Sequence, residues 1–187
     1  MLRHPEVVQL LGDARLRHIA LLNLRREAPL ARISDSVMTF GLKDGLLEVG
    51  AGVQIREGTV LAFGDETNGH GRIHIGKNSW VGQYNNLRAG GGDIVIGDDC
   101  LISQFCTLVG ANHRVERSRP IHCQGSDTND AGVRLGNDVW LGAGCVVMPG
   151  VYINDGAVVG ANSVVTCSVP AYEIWAGAPA RKIGQRQ

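Results

Sequence analysis

The chain has 187 residues, 44% of them hydrophobic and 5% aromatic, enough to bury one sizeable core but short of the large rings that fill most cores. Its 26 glycines suit a fold of short strands joined by tight corners. Lysine plus arginine equals aspartate plus glutamate at 18 each, so no overall field draws the molecule to nucleic acid or to an anionic membrane.

Arg3, His4, Pro5 and Glu6 stand where a signal peptide would carry a basic start and a clean apolar run, and no apolar stretch reaches spanning length. A cytoplasmic location with no membrane span is expected. From Pro5 to about Glu27, Val8, Leu11, Leu16, Ile19, Leu22 and Leu24 are mixed with Arg15, Arg17, Arg25 and Arg26. This predicts one or two helical segments, broken near Gly12 and Asp13 and ended by Pro29, so that residues 1–30 form a helical segment packed on the first coil or on a neighbouring subunit. Apolar and basic positions are too intermixed for a membrane-surface helix. From Ile33 to Leu47 the spacing is irregular and predicts a capping or incomplete coil.

A strict rhythm then begins. Five triplets of aliphatic residues step by six: Val49, Ile55, Leu61; Ile75, Val81, Leu87; Ile96, Ile102, Leu108; Leu135, Leu141, Val147; Ile153, Val159, Val165. This is the pattern of a parallel β-helix with three hexapeptides per coil. Every insertion falls between triplets, so all insertions should leave at one corner. The β-helix is expected over residues 31–170, with its longest insertion at 109–133 carrying Asn112, His113, Pro120 and Gln124. Glycine follows the aliphatic directly at Gly50, Gly76, Gly82, Gly97, Gly136, Gly142 and Gly160.

Four residues after a rhythm position the coil takes a small residue, as at Val53, Thr59, Ser79, Val139, Val151, Ala157 and Ser163. Cys100, Cys106 and Cys145 occupy the same site and read as reduced, buried filler. Cys123 and Cys167 lie outside the pattern. Beyond Pro170, residues 171–187 form a tail in which Pro179 ends the extended part, and Arg181, Lys182 and Arg186 give a short basic helix or an extended end.

Several motifs in the second half carry a resemblance. They are Asn112-His113; Pro120-Ile121 with Gln124-Gly125; Leu135-Gly136-Asn137-Asp138-Val139-Trp140-Leu141-Gly142-Ala143-Gly144; Pro149-Gly150-Val151; Val158-Val159-Gly160-Ala161; Ser163-Val164-Val165-Thr166; and Ala176-Gly177-Ala178-Pro179-Ala180-Arg181. With these, the stretch from Ile75 to Arg186 resembles the hexapeptide-repeat acyltransferases with a left-handed β-helix, most closely the branch of galactoside, maltose and polysaccharide O-acetyltransferases. The left hand of the helix, a homotrimer with active sites between subunits, and acetyl-CoA as co-substrate are all implied by the resemblance. Two departures bear on the acceptor: the long corner after Leu61 with Gly69-His70-Gly71, and the segment before Val49.

Acyl transfer from a thioester to a hydroxyl needs a base that takes the hydroxyl proton as oxygen attacks, and imidazole suits that work near neutral pH. The resemblance implies that His113 is this general base. Glu116 or a backbone carbonyl is the candidate to orient it. The resemblance places an oxyanion-stabilising amide near Gly142 and Ala143, and sets Trp140 beside the coenzyme A groove. It likewise matches Ala161 and Thr166 to positions along the pantetheine arm, and Arg181, helped by Lys182, to the nucleotide phosphates. For a carbohydrate acceptor, Asn85, Asn112 and Gln124 are polar corner residues expected to face His113, and Trp80 and Tyr84 are rings that can stack on a sugar.

Other readings share the rhythm. An N-acetyltransferase acting on a nucleotide amino sugar is the nearest, since histidine serves nitrogen or oxygen acceptors alike; a serine acetyltransferase is more distant. A zinc hydratase of the γ-carbonic-anhydrase type would need three histidines from His70, His74, His113 and His122, whose spacing does not match that pattern, so no metal is expected. A silent scaffold is disfavoured by the intact His113.

Overall fold

The computed structural model describes the backbone of residues 4–187 and the side chains of 15, 16 and 18–187. Three parallel sheets form the three faces of a solenoid, and each of the first five coils gives one strand to each face. The first face runs Arg32–Ile33, Gln54–Ile55, Trp80–Val81, Leu101–Ile102, Trp140–Leu141, Val158–Val159. The second stacks Met38–Phe40, Val60–Ala62, Asn86–Arg88, Thr107–Val109, Val146–Val147, Val164–Val165. On the third are Leu47–Val49, Ile73–Ile75, Ile94–Ile96, Val133–Leu135 and Tyr152–Ile153. The architecture agrees with a left-handed β-helix.

The rhythm residues are the core. Ile55, Leu61, Ile75, Val81, Leu87, Ile96, Ile102, Leu108, Leu141 and Val147 are 0% exposed and pair with their counterparts one coil away, as in Leu61↔Leu87↔Leu108. Each fully buried aliphatic contributes about 1.5–3 kcal/mol, and the repeat multiplies the term. Glycine after the aliphatic lets one coil settle on the next: a Cβ on Gly97 would lie 2.5 Å from the Gly136 carbonyl oxygen.

The small-residue site has a second job. Thr59 Oγ1 donates to the Gly82 carbonyl at 2.9 Å and Ser79 Oγ to that of Gly97 at 2.8 Å. Cys100, Cys106 and Cys145 thiols point in the same way at the carbonyls of Gly136, Gly142 and Gly160, at 3.1, 3.2 and 3.1 Å. These buried donors satisfy corner carbonyls that no strand reaches. All three cysteines are free and buried, whereas Cys123 and Cys167 are exposed.

Three expectations change. The N-terminal helix, α1 (His4–Glu27), runs unbroken through Gly12 and Asp13, at the cost of about 1 kcal/mol for an interior glycine. Leu24, near its end, is 0% exposed, and α1 packs on the Met38–Phe40 and Leu47–Val49 strands. Residues 32–49 form a complete coil, with Ile33↔Ile55, Thr39↔Leu61 and Val49↔Ile75 in register; the polar Thr39 at a rhythm position hid it. The tail is the extended end and not the basic helix, and it stays extended past Pro179. Glu173–Gly177 adds a further parallel strand to the first face and turns back antiparallel onto Ala180–Gln185.

Candidate functional site

All insertions leave at the corner between the second and third faces. There Ala62, Arg88 and Val109 stand in register at the strand ends, each one residue past a buried leucine and therefore pointing outward. Beyond Ala62 the chain makes a hairpin of Gly64–Asp65 against Gly69–His70. Beyond Arg88 it passes through Gly90, Gly91 and Gly92, where a Cβ on Gly92 would lie 2.3 Å from the Gly110 carbonyl oxygen. Beyond Val109 the long insertion opens with an antiparallel pair, Asn112–His113 against Ser126–Asp127.

These stacked corners enclose a cleft of about 120 Å³ lined by Asp65, Asn68, Arg88, Gly90, His113 and Ser126, among others. His113 is exposed at its mouth. Opposite, Asp65 is fixed in a tight turn: its Oδ1 accepts the backbone N–H groups of Thr67 at 2.9 Å and Asn68 at 2.8 Å. The Asn68 side-chain amide adds bonds to Oδ1 at 3.1 Å and Oδ2 at 3.0 Å. Donation by Asn68, from its backbone first, holds the Asp65 carboxyl below the usual range, so it is charged at neutral pH.

The insertion that carries His113 is held from within. Gln124, 7% exposed, accepts the Glu116 N–H at 2.8 Å and donates to the carbonyls of Glu116 at 2.9 Å and Arg119 at 2.7 Å. Both amide protons are thereby used, and Gln124 shapes the loop instead of facing an acceptor. The Glu116 carboxylate lies 4.0 Å from Arg119, which gives it a partner other than His113.

The remaining expected acceptor residues divide. Asn112 is exposed next to His113. Asn85 is 1% exposed inside the coil, its Oδ1 accepting the Cys106 N–H at 2.6 Å and its Nδ2 donating to the Gly82 carbonyl at 2.9 Å. It sits four residues after Val81, so the spacing that buries the cysteines buries it too. Trp80 lies on the first face, in register with Gln54 and Leu101. Tyr84 is 59% exposed on the corner between the first and second faces, stacked on Phe105 with centroids 5.4 Å apart. One chain thus does not bring Trp80, Tyr84 or Asn85 to His113.

The expected coenzyme residues lie mostly along the first face and its corner. Trp140 is 48% exposed, its indole N–H donating to Ser103 Oγ at 3.3 Å. The Gly142 N–H is committed to the Val159 carbonyl at 2.7 Å, so it cannot serve an oxyanion, which leaves the Ala143 amide of that pair. Ala161 stacks directly beyond Gly142, whose added Cβ would lie 2.6 Å from the Ala161 nitrogen. Thr166 is exposed just past the second face. Arg181 is exposed on the terminal hairpin and donates to the Ala180 carbonyl at 2.7 Å, while Lys182 is paired with Glu173 at 2.5 Å.

Of the histidines considered as metal ligands, His70 bonds Glu66 at 3.3 Å and His74 faces Glu48 at 3.1 Å on the third face. Among the described residues no three histidine, cysteine or acidic side chains come together in a metal-holding group. Among the same residues no helix is long and apolar enough to cross a membrane.

Residues 132–167 match the bacterial transferase hexapeptide (six repeats). The chain is 30% identical over 164 residues to a probable acetyltransferase of Mycobacterium tuberculosis, covering 76% of this chain and 51% of that protein. It is 30% identical over 145 residues to the galactoside O-acetyltransferase of Escherichia coli, covering 76% and 65%. Thus the chain spans between half and two thirds of the length of these curated relatives. Among solved structures it is similar to AntD, an N-acyltransferase from Bacillus cereus in complex with dTDP and 3-hydroxybutyryl-CoA, with a TM-score of 0.69 and 26% identity over 84% of this chain and 80% of that one.

Proposed function

We propose that this chain, whose coils carry the hexapeptide repeat of bacterial transferases, transfers an acetyl group from acetyl-CoA to a carbohydrate hydroxyl, with His113 as the general base. The observation that carries the reading is the placement of His113: the repeat's longest insertion delivers an exposed imidazole to the mouth of a polar cleft built from three coils. Likeness to the galactoside O-acetyltransferase over 76% of the chain supports the hydroxyl acceptor.

His113 accepts the acceptor's proton as its oxygen attacks the thioester carbonyl, and returns a proton to the departing coenzyme A thiolate. A positioned base of this kind contributes about 10²–10⁴-fold. The Ala143 amide, next to Trp140 and Ala161, is the donor offered to the carbonyl oxygen. Arg181 supplies charge for the nucleotide phosphates.

The cleft of about 120 Å³ is far below the roughly 300–1,000 Å³ of a site that encloses a drug-sized ligand, and the coenzyme residues lie on another face of the same chain. The thioester is therefore brought to His113 along a second copy. A cyclic homotrimer satisfies every such contact by repeating one interface.

A second reading, N-acyl transfer to an amino sugar carried on a nucleotide, is supported by the likeness to AntD in complex with dTDP. An acceptor screen that follows free thiol release from acetyl-CoA separates the two. Sugars, nucleotide amino sugars and serine are compared, and turnover with amino sugars alone would replace the hydroxyl reading by the amino one.

A further inference from the structure

Among the described residues Arg88 is the one lysine or arginine lining the His113 cleft, and none of them hydrogen-bonds its guanidinium. It rises between Ala62 and Val109, two small apolar neighbours in register on either side. Among the described residues no carboxylate pairs with it: the nearby Asp93 of the same corner is occupied by Arg72, through bonds of 2.9 and 3.2 Å to its Oδ2. Asp65 across the cleft is held in its own turn by donors from Thr67 and Asn68 and makes no ion pair with Arg88. A free guanidinium offers five N–H donors in a planar fork that matches an oxyanion with two parallel bonds.

We propose that Arg88 holds an anionic group of the acceptor, a phosphate or carboxylate close to the reacting atom, and so makes the acceptor an anionic sugar. This rests on His113 being the base of an acyl transfer. The small volume argues for closeness: a cleft of about 120 Å³, against the roughly 300–1,000 Å³ that encloses a drug-sized ligand, suits one charged substituent beside the reacting group. Asp65 Oδ2, which accepts only from Asn68 at 3.0 Å, retains lone pairs for a hydroxyl of the same ring.

The test compares glucose, glucose 6-phosphate and glucuronate as acceptors, with the unmodified protein, Arg88→Gln and Arg88→Lys, by thiol release from acetyl-CoA. In parallel, binding of glucose 6-phosphate, glucuronate and inorganic phosphate is titrated without acetyl-CoA. The expected result is a preference for an anionic sugar, a KM raised about 10- to 100-fold in Arg88→Gln with partial recovery in Arg88→Lys, and an unchanged KM for acetyl-CoA. Phosphate and carboxylate are told apart by which sugar shows the preference. Turnover equal for neutral and anionic sugars, or a changed KM for acetyl-CoA with none for the acceptor, overturns the assignment of Arg88 while leaving acyl transfer intact. Arg88-dependent binding of a sugar anion with no thiol release sustains the assignment and sinks acyl transfer. Absence of both binding and turnover overturns the assignment.

Discussion

Gln124 grips Glu116 at both of its backbone groups, accepting its N–H at 2.8 Å and donating to its carbonyl at 2.9 Å. This closes the insertion eleven residues past His113, opposite the antiparallel pair His113↔Ser126. A loop of this length has little apolar area to bury, so its order depends on such bonds.

Gln124→Ala removes all three bonds and leaves Glu116 and Arg119 to water. Loosening of the loop by about 1–3 kcal/mol is expected. Hydrogen exchange of the amides at 114–125 should quicken, turnover should fall, and the melting of the β-helix should hold. Unchanged exchange in that segment would show that the clamp is not what orders it.

For Asn85→Ala the outcome differs in kind. The buried Cys106 N–H loses its acceptor, so unfolding free energy should fall by about 1–3 kcal/mol while the KM for any acceptor stays put. A raised KM with unaltered denaturation would return Asn85 to the acceptor site.

The fold was legible because the core is a counting rule. Five triplets, the glycine after seven of their fifteen aliphatics and the small residue four places on all report positions inside the coil. The same rule, applied to Val81, already places Asn85 inside. What the rule does not describe is the outside. Arg88 follows Leu87 at the insertion corner, and only the register of Ala62, Arg88 and Val109 reveals that it shares a cleft with His113. Asp65 and Asn68 enter that cleft because an irregular corner folds into a hairpin, and no periodicity encodes such a corner. Thr39, polar at a rhythm position, concealed a whole coil.

Tyr84 tests the balance between strain and stacking. Its φ of +55° is the left-handed region, costing about 1–2 kcal/mol for a residue with a side chain, and its stack on Phe105 returns about 0.5–1.5 kcal/mol. Tyr84→Gly relieves the first and forfeits the second, so stability within about 1 kcal/mol of the parent is expected from urea denaturation. A much larger loss would mean that Tyr84 is buried against another copy.

The thiols give a pH dependence. Burial, the largest cause, pushes Cys100 from the ordinary 9.0 to about 11. Between these values the unfolded chain has released this proton and the folded chain has not, so its stabilising effect is complete below about pH 9 and is lost as pH rises toward 11. Denaturation midpoints should decline across that window, less so in Cys100→Ala. In the native protein at pH 8 an alkylating reagent should modify the exposed Cys123 and Cys167 and spare Cys100, Cys106 and Cys145.

Thiol release from acetyl-CoA in the presence of a sugar acceptor, measured for the protein and for His113→Ala, tests the central claim most directly. Turnover should drop by about 10²–10⁴-fold with melting and coenzyme binding unchanged. An undiminished rate in His113→Ala would contradict the assignment of His113 as the base.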